Sequence, residues 1–210
     1  MSSDIKRLAS KTNKSILFIF ISFYIYAIIR YHFGKELFEW YHYPFVLNKA
    51  FAWTGGTLLV LTLLPNSILN HYSFSKKWLG NTGYSFSMIH IPLNFLLLSP
   101  NLFPKFYNGQ FINSYGWLCI SIGVLSMLLF SIPLIAKWIN GTFYNKKFNF
   151  GLWGNLVLFF HVFSLGITGW IDPSKWPLSM PPITLIFCAF SLIIFSYRFV
   201  FSNRSTQSLH

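Results

Sequence analysis

The chain has 210 residues, of which 54% are hydrophobic, 21% aromatic and only 10% charged. A soluble domain carries roughly 25% charged residues, so this chain cannot cover a water-facing surface, and we predict an integral membrane protein with a single domain. Its net charge of +12 would suit a nucleic-acid partner, but the basic residues lie at the ends of apolar runs, which indicates membrane boundaries and no nucleic acid.

Six apolar segments are predicted to cross the membrane as helices in an all-α bundle. The chain begins with a polar tail at 1–14 and continues with spans at 15–31, 45–69, 78–98, 115–138, 151–170 and 182–201, before a second tail at 202–210. Each span is close to the ~20 residues that a helix needs to cross a ~30 Å hydrocarbon core. The aromatic stretch between the first two spans predicts a turn or short helix at the membrane interface.

The distribution of basic residues predicts the orientation of the bundle. Eleven fall on one side of the six-span arrangement and five on the other. Because cytoplasmic loops carry the excess of Lys and Arg, both termini are predicted to be cytoplasmic. The inner set comprises Lys6, Arg7, Lys11, Lys14, Lys76, Lys77, Lys137, Lys146, Lys147, Arg198 and Arg204, and the outer set comprises Arg30, Lys35, Lys49, Lys105 and Lys175. Three of the four acidic residues, Glu36, Glu39 and Asp172, fall on the outer side.

One pattern occurs twice in the apolar spans: a glycine followed seven residues later by a histidine. Gly83 precedes His90 in the third span, and Gly154 precedes His161 in the fifth. Seven residues make two helical turns, so each glycine shares a helix face with its histidine. The third and fifth spans run in the same direction, which predicts that the two histidines lie at similar depth. Ionisable side chains in a bilayer are costly, so we regard both as candidate functional residues.

Three interpretations of the histidine pair are open at this stage. Each imidazole could be neutral and hydrogen-bonded to a neighbouring helix, which is a purely structural role. A zinc site would need three or four protein ligands, and no Asp, Glu or Cys lies at the right depth in these helices. A b-type haem needs only two axial imidazoles that face each other across the macrocycle.

Three other residues bear on the haem interpretation. Gly83 and Gly154 would give space for the ring, or they would serve helix–helix contact, as small residues do in membranes generally. Lys49, next to Asn48, would bind a haem propionate, or it would be a lysine that extends its ammonium group to the interface.

The two cysteines, Cys119 and Cys188, are interpreted as buried thiols with no metal-binding spacing.

With these residues in place, the chain resembles the ferric-reductase-like transmembrane domain family from about Phe45 to Val200. The family includes the haem-binding subunit of the periplasmic methionine-sulfoxide reductase system, bacterial stand-alone haem proteins and the membrane part of NADPH oxidases. The segments that carry the resemblance are Val46-Leu-Asn-Lys-Ala-Phe-Ala-Trp-Thr-Gly55, Lys76-Lys-Trp-Leu-Gly80, Met88-Ile-His90, Phe160-His161-Val162, Gly169-Trp170 and Pro181-Pro182.

The resemblance implies a six-helix bundle in a bacterial inner membrane that binds haem b and passes electrons across the bilayer. It implies that His90 and His161 are the axial ligands of the iron. Larger members carry a second haem on histidines about thirteen or fourteen residues away, and none of the corresponding positions here is a histidine. We therefore expect one haem, unless His71 contributes to a second. A quinol or a separate reductase would be the electron donor, so the chain would serve as the haem subunit of a membrane oxidoreductase.

A second functional class remains open beside the haem protein. A small transporter or scaffold subunit could use the same six-helix bundle with structural histidines. It predicts histidines that face neighbouring helices or a water path and not each other, whereas a bis-histidine haem site predicts imidazoles that face each other across a gap wide enough for a porphyrin.

Overall fold

The computed structural model describes residues 3–33, 43–72, 74–138 and 149–207, and these residues are predominantly α-helical, as expected. The helices, in chain order, are α1 (Ser3–Ile28), α2 (Tyr43–Leu61), α3 (Asn66–His71), α4 (Lys76–Leu97), α5 (Ser114–Trp138), α6 (Phe150–Trp170) and α7 (Ile183–Gln207). A π-helical turn, Ile29–Phe33, extends α1, and three short 3₁₀ turns lie at Pro104–Phe106, Pro173–Lys175 and Pro177–Ser179.

A small hairpin lies in the connection between α4 and α5. Its strands, β1 (Tyr107–Asn108) and β2 (Phe111–Ile112), are antiparallel. Gly109 adopts a φ of +61° at the turn, which is a conformation that residues with a Cβ rarely adopt.

Four segments of the described chain are long and apolar enough to cross a membrane. They are Ser10–Phe33, Ser114–Pro133, Phe150–Trp170 and Pro177–Arg198. The helices α2 and α4 have 19 and 22 residues, but both carry more polar side chains and are not among the four. These polar residues include Lys49 on α2 and His90 on α4, both of which line an internal cavity. Because Lys49 and His90 line this cavity, two helices of lower hydropathy can still form part of the bundle.

The first helix begins earlier than the apolar pattern predicts. Residues 3–14 of the predicted polar tail are helical and continue directly into the apolar part of α1. Thr12 is fully buried, and its hydroxyl oxygen accepts a hydrogen bond from the backbone N–H of Ser75 at 3.2 Å. This contact holds the first half of α1 against the start of α4.

The predicted second span, 45–69, is divided in the structure. The helix α2 ends at Leu61, and α3 begins after Pro65. Proline lacks an N–H and disfavours the helical conformation of the residue before it, so a single helix does not continue through this position. The final turn of α2 tightens, with hydrogen bonds such as that from the N–H of Leu64 to the carbonyl of Leu61 at 3.1 Å.

The bundle is built around α2. This helix packs against α1 and α4 and also contacts α6 and α7, so side chains around much of its circumference are buried, including Val46, Ala50, Leu58 and Val60. A second close pair is formed by α5 and α6, and α7 packs against α6. The histidine-bearing helices α4 and α6 therefore belong to different pairs.

Some residues named in the sequence analysis lie outside the described residues. They are Lys35, Glu36, Glu39, Lys146 and Lys147.

Candidate cofactor site

A single cavity brings three of the five predicted site residues together. His90 from α4, His161 from α6 and Lys49 from α2 all line it. The cavity has a volume of about 140 Å³. One water needs only ~10–15 Å³ by the same measure, so the cavity is large enough for an organic ligand.

Asn48 on α2 determines which ring nitrogen of His90 carries the proton. The Nδ1 atom of His90 lies 2.7 Å from the side-chain oxygen of Asn48, and the amide nitrogen of Asn48 lies 3.4 Å from the side-chain oxygen of Asn94. Because an amide oxygen only accepts hydrogen bonds, His90 donates through Nδ1–H. The neutral ring then carries an unprotonated lone pair on Nε2, which is the form that binds a metal.

The second histidine has an equivalent partner on the backbone. The Nδ1 atom of His161 lies 2.8 Å from the carbonyl oxygen of Cys119 on α5. A carbonyl also only accepts, so His161 likewise donates through Nδ1–H and keeps a lone pair on Nε2. Histidines that bind metals almost always donate their other ring N–H to such an acceptor. The two rings therefore share the arrangement of metal-binding imidazoles.

Gly123 on α5 allows His161 to sit where it does. A Cβ atom at this position would lie 2.8 Å from Cε1 and 3.0 Å from Nδ1 of the imidazole. Real Cβ atoms essentially never approach so closely, and the obstructing atoms belong to the ring itself. A side chain at position 123 would therefore move the imidazole away from the Cys119 carbonyl.

Lys49 lies at an aromatic wall of the cavity. Its Nζ atom is 4.6 Å from the centre of the Phe45 ring and 4.9 Å from that of Phe103. The Phe103 ring stacks on Phe106 in the connection between α4 and α5, with the ring centres 5.7 Å apart. Cation–π contacts hold an ammonium group without neutralising it, so Lys49 places positive charge beside a mainly apolar space.

The same connection is fastened to α6 close to His161. The ammonium group of Lys105 donates a hydrogen bond to the carbonyl of Leu165, one turn after the histidine, and partial burial against the protein lowers the pKa of Lys105 below its ordinary 10.5. The hydroxyl of Tyr115 donates to the carbonyl of Ser164. These contacts fix the wall of the cavity relative to α6.

The two glycines of the repeated pattern occupy helix contacts. A Cβ on Gly83 would lie 3.0 Å from the Gly55 carbonyl oxygen, and a Cβ on Gly154 would lie 3.1 Å from the Phe130 ring. Among the described residues, the glycines that line the cavity are Gly56 and Gly123. Of the two roles open to the predicted glycines, the structure therefore supports helix–helix packing.

A conventional metal site has no support in the described part of the chain. No group of three or more His, Cys, Asp or Glu side chains comes together there. Both cysteines are buried free thiols, and the sulfur of Cys119 lies 3.5 Å from the Ser164 hydroxyl oxygen. Two histidines without further protein ligands fit a haem, whose porphyrin supplies four nitrogen ligands to the iron, better than they fit zinc.

Several residues of the site carry little signal in the sequence. Asn94 follows His90 by one turn, so a helical pattern places it on the same face. Gly123 and the carbonyl of Cys119 have no such signal, because no acidic, basic or histidine residue lies near them in α5 and Cys119 acts through its backbone.

No known family model matches this chain, and no curated protein matches it.

Proposed function

We propose that the protein is a haem b-binding membrane electron-transfer protein of the ferric-reductase-like type, with His90 and His161 as axial ligands of one haem. The observation that carries the proposal is that the two imidazoles line one cavity and have the same hydrogen-bonding arrangement. Each lines the same cavity and donates through Nδ1 to a fixed acceptor, so each keeps an Nε2 lone pair. When bound, haem b supplies one-electron transfer between ferric and ferrous iron.

The helix arrangement supports this function over a scaffold subunit with purely structural histidines. The extensive contacts of α4 are with α2, and those of α6 are with α5 and α7, while both histidines line the same cavity. A structural role would need only one hydrogen bond for each imidazole. It would not need a cavity of this size beside both rings.

The residues of this chain would bind and orient the cofactor. Lys49 supplies the positive charge that a propionate requires, and the aromatic and aliphatic lining excludes water from the rest of the site. In the proposed orientation both termini are cytoplasmic and α2 and α4 complete six spans. Electrons would come from a quinol or a separate reductase and leave to an external redox partner.

The decisive experiment is the dithionite-reduced absorption spectrum of the purified protein, expressed with adequate haem. We expect b-type bands that are lost in both His90→Ala and His161→Ala, because each variant removes one axial ligand. His71→Ala is the matched control: His71 ends the short helix α3, and one haem on the other two histidines leaves its spectrum unchanged. A haem-free wild-type protein, or full haem retention in both ligand variants, would refute the proposal.

A further inference from the structure

Asn48 is a fully buried residue whose side chain contacts two residues that line the cavity. Its oxygen accepts from Nδ1 of His90 at 2.7 Å, and its nitrogen lies 3.4 Å from the Asn94 oxygen, to which it donates. Asn94 lies one turn beyond His90 on α4, so the amide of Asn48 bridges two successive turns of the neighbouring helix. With both amide ends engaged, the side chain has one orientation, in which the oxygen faces the imidazole.

The two histidines differ in the kind of acceptor that they use. The acceptor for His161 is the backbone carbonyl of Cys119, which is the same chemical group whatever side chain stands there. The acceptor for His90 is a side chain, so its strength depends on the residue at position 48. A stronger acceptor draws the Nδ1 proton away and makes Nε2 a more basic ligand.

We propose that Asn48 is a positioning residue that holds the proton of His90 on Nδ1 and thereby sets the reduction potential of the bound haem. This inference rests on the proposed haem function. A more basic axial nitrogen stabilises ferric over ferrous iron, because the ferric ion carries the greater charge. The residue at position 48 then adjusts the potential without touching the iron.

Two substitutions at position 48 change the acceptor in opposite directions. Asn48→Leu keeps the branched shape but has no acceptor, so we expect ~10–100-fold weaker haem retention and a more positive potential. Asn48→Asp keeps the shape and offers a stronger acceptor, so we expect a more negative potential. A tenfold change in the ratio of ferric to ferrous affinity corresponds to about 59 mV for one electron. Spectroelectrochemical titration of the purified holoprotein measures the potential.

Asn155→Leu is the matched control. Asn155 on α6 is also fully buried, and its amide nitrogen donates to the carbonyls of Gly151 and Leu59 without contact to either imidazole. We expect this variant to keep the wild-type potential, since it removes a buried amide elsewhere in the bundle. Weaker haem retention in Asn48→Leu, with full retention by Asn48→Asp and Asn155→Leu, would also support the positioning role, whereas loss of haem from Asn48→Asp would contradict it.

The outcomes separate this inference from the function on which it rests. A wild-type protein that binds no haem overturns the proposed function itself. A haem-binding wild type whose potential is shared by Asn48→Leu and Asn48→Asp overturns the role of Asn48 and leaves the haem function intact. Equal shifts of the reduction potential in Asn48→Leu and Asn155→Leu would likewise overturn the role of Asn48, because they would show that the lost packing of a buried amide causes the shift.

Discussion

At the scale of single residues, the site depends on hydrogen bonds that select one form of each imidazole. An unconstrained neutral histidine can carry its proton on either nitrogen. Here Asn48 and the Cys119 carbonyl accept from Nδ1 in the two rings. Each acceptor comes from a helix next to the one that bears the histidine, so the state of each ring reports the packing of a helix pair. Small changes at the helix surfaces should therefore alter ligand binding.

On the proposed haem function, Gly123→Ala should weaken haem binding without loss of the fold. The added Cβ would lie 2.8 Å from the His161 ring, so the imidazole must move and its bond to Cys119 is strained. We expect a ~10–100-fold loss of haem affinity, the range seen when the partner of a ligand is disturbed. Haem titration of the apoprotein, followed by absorbance, measures it.

Gly169→Ala provides the control for this substitution. A Cβ at Gly169, near the end of α6, meets nothing within 4 Å, so haem affinity should stay at the wild-type value. Equal affinities for the two alanine variants would contradict the role given to Gly123.

At the scale of elements, the bundle consists of close helix pairs whose contacts rely on small residues. Gly55 on α2 and Gly83 on α4 approach so closely that a Cβ on either would lie 3.0 Å from the carbonyl oxygen of the other. In α5 and α6, the Ser126 hydroxyl donates to the Gly154 carbonyl at 3.0 Å. Backbones that approach in this way gain dispersion contacts, which hold membrane helices together where the hydrophobic effect does not. The α2–α4 contact also brings Asn48 to His90.

Two alanine substitutions on α4, one turn apart, should have opposite effects on stability. Both replace glycine in a helix, which by itself gains about 0.5–1 kcal/mol. At Gly80 a Cβ meets one methyl group at 3.7 Å, so Gly80→Ala should be neutral or stabilising. At Gly83 it meets the backbone of α2, so Gly83→Ala should cost roughly 1–3 kcal/mol through overpacking.

Thermal unfolding in detergent, followed by circular dichroism, distinguishes these two variants. We expect a lower Tm for Gly83→Ala than for the wild type and an unchanged or higher Tm for Gly80→Ala. A Tm for Gly83→Ala equal to that of Gly80→Ala would show that α2 and α4 do not meet at this glycine.

At the scale of the whole molecule, composition and apolar periodicity predict the helices, and contacts between helices decide the rest. The sequence places His90 and His161 on two helices at similar depth, and both line one cavity. The sequence does not decide whether Gly83 gives space for a cofactor or serves helix–helix contact. A glycine seven residues from a histidine lies on the same side of the helix, but that side is broad enough to border both the cavity and a neighbouring helix. The partner of His161 is a backbone carbonyl 42 positions away, and no residue type marks it.

The number of membrane crossings distinguishes two arrangements of the same helices. If α2 and α4 cross the membrane, six spans place the α3–α4 connection on the side of the N-terminus and the hairpin on the opposite side. If only the four most apolar segments cross, both connections lie on the side opposite the N-terminus. Tyr72, which is 65% exposed, and Asn108, at the exposed hairpin, report these two connections.

We expect cysteines at these two positions to be labelled from opposite sides of the membrane. The background is Cys119→Ala with Cys188→Ala, because both native thiols are buried and small changes suffice to remove them. With a membrane-impermeant thiol reagent, Asn108→Cys should react in intact cells, and Tyr72→Cys should react only after the membrane is opened. The physical reason is that Lys76 and Lys77 follow Tyr72, and cytoplasmic loops carry the excess of Lys and Arg. Equal labelling of both cysteines in intact cells would show that only four helices cross the membrane and that α2 and α4 do not.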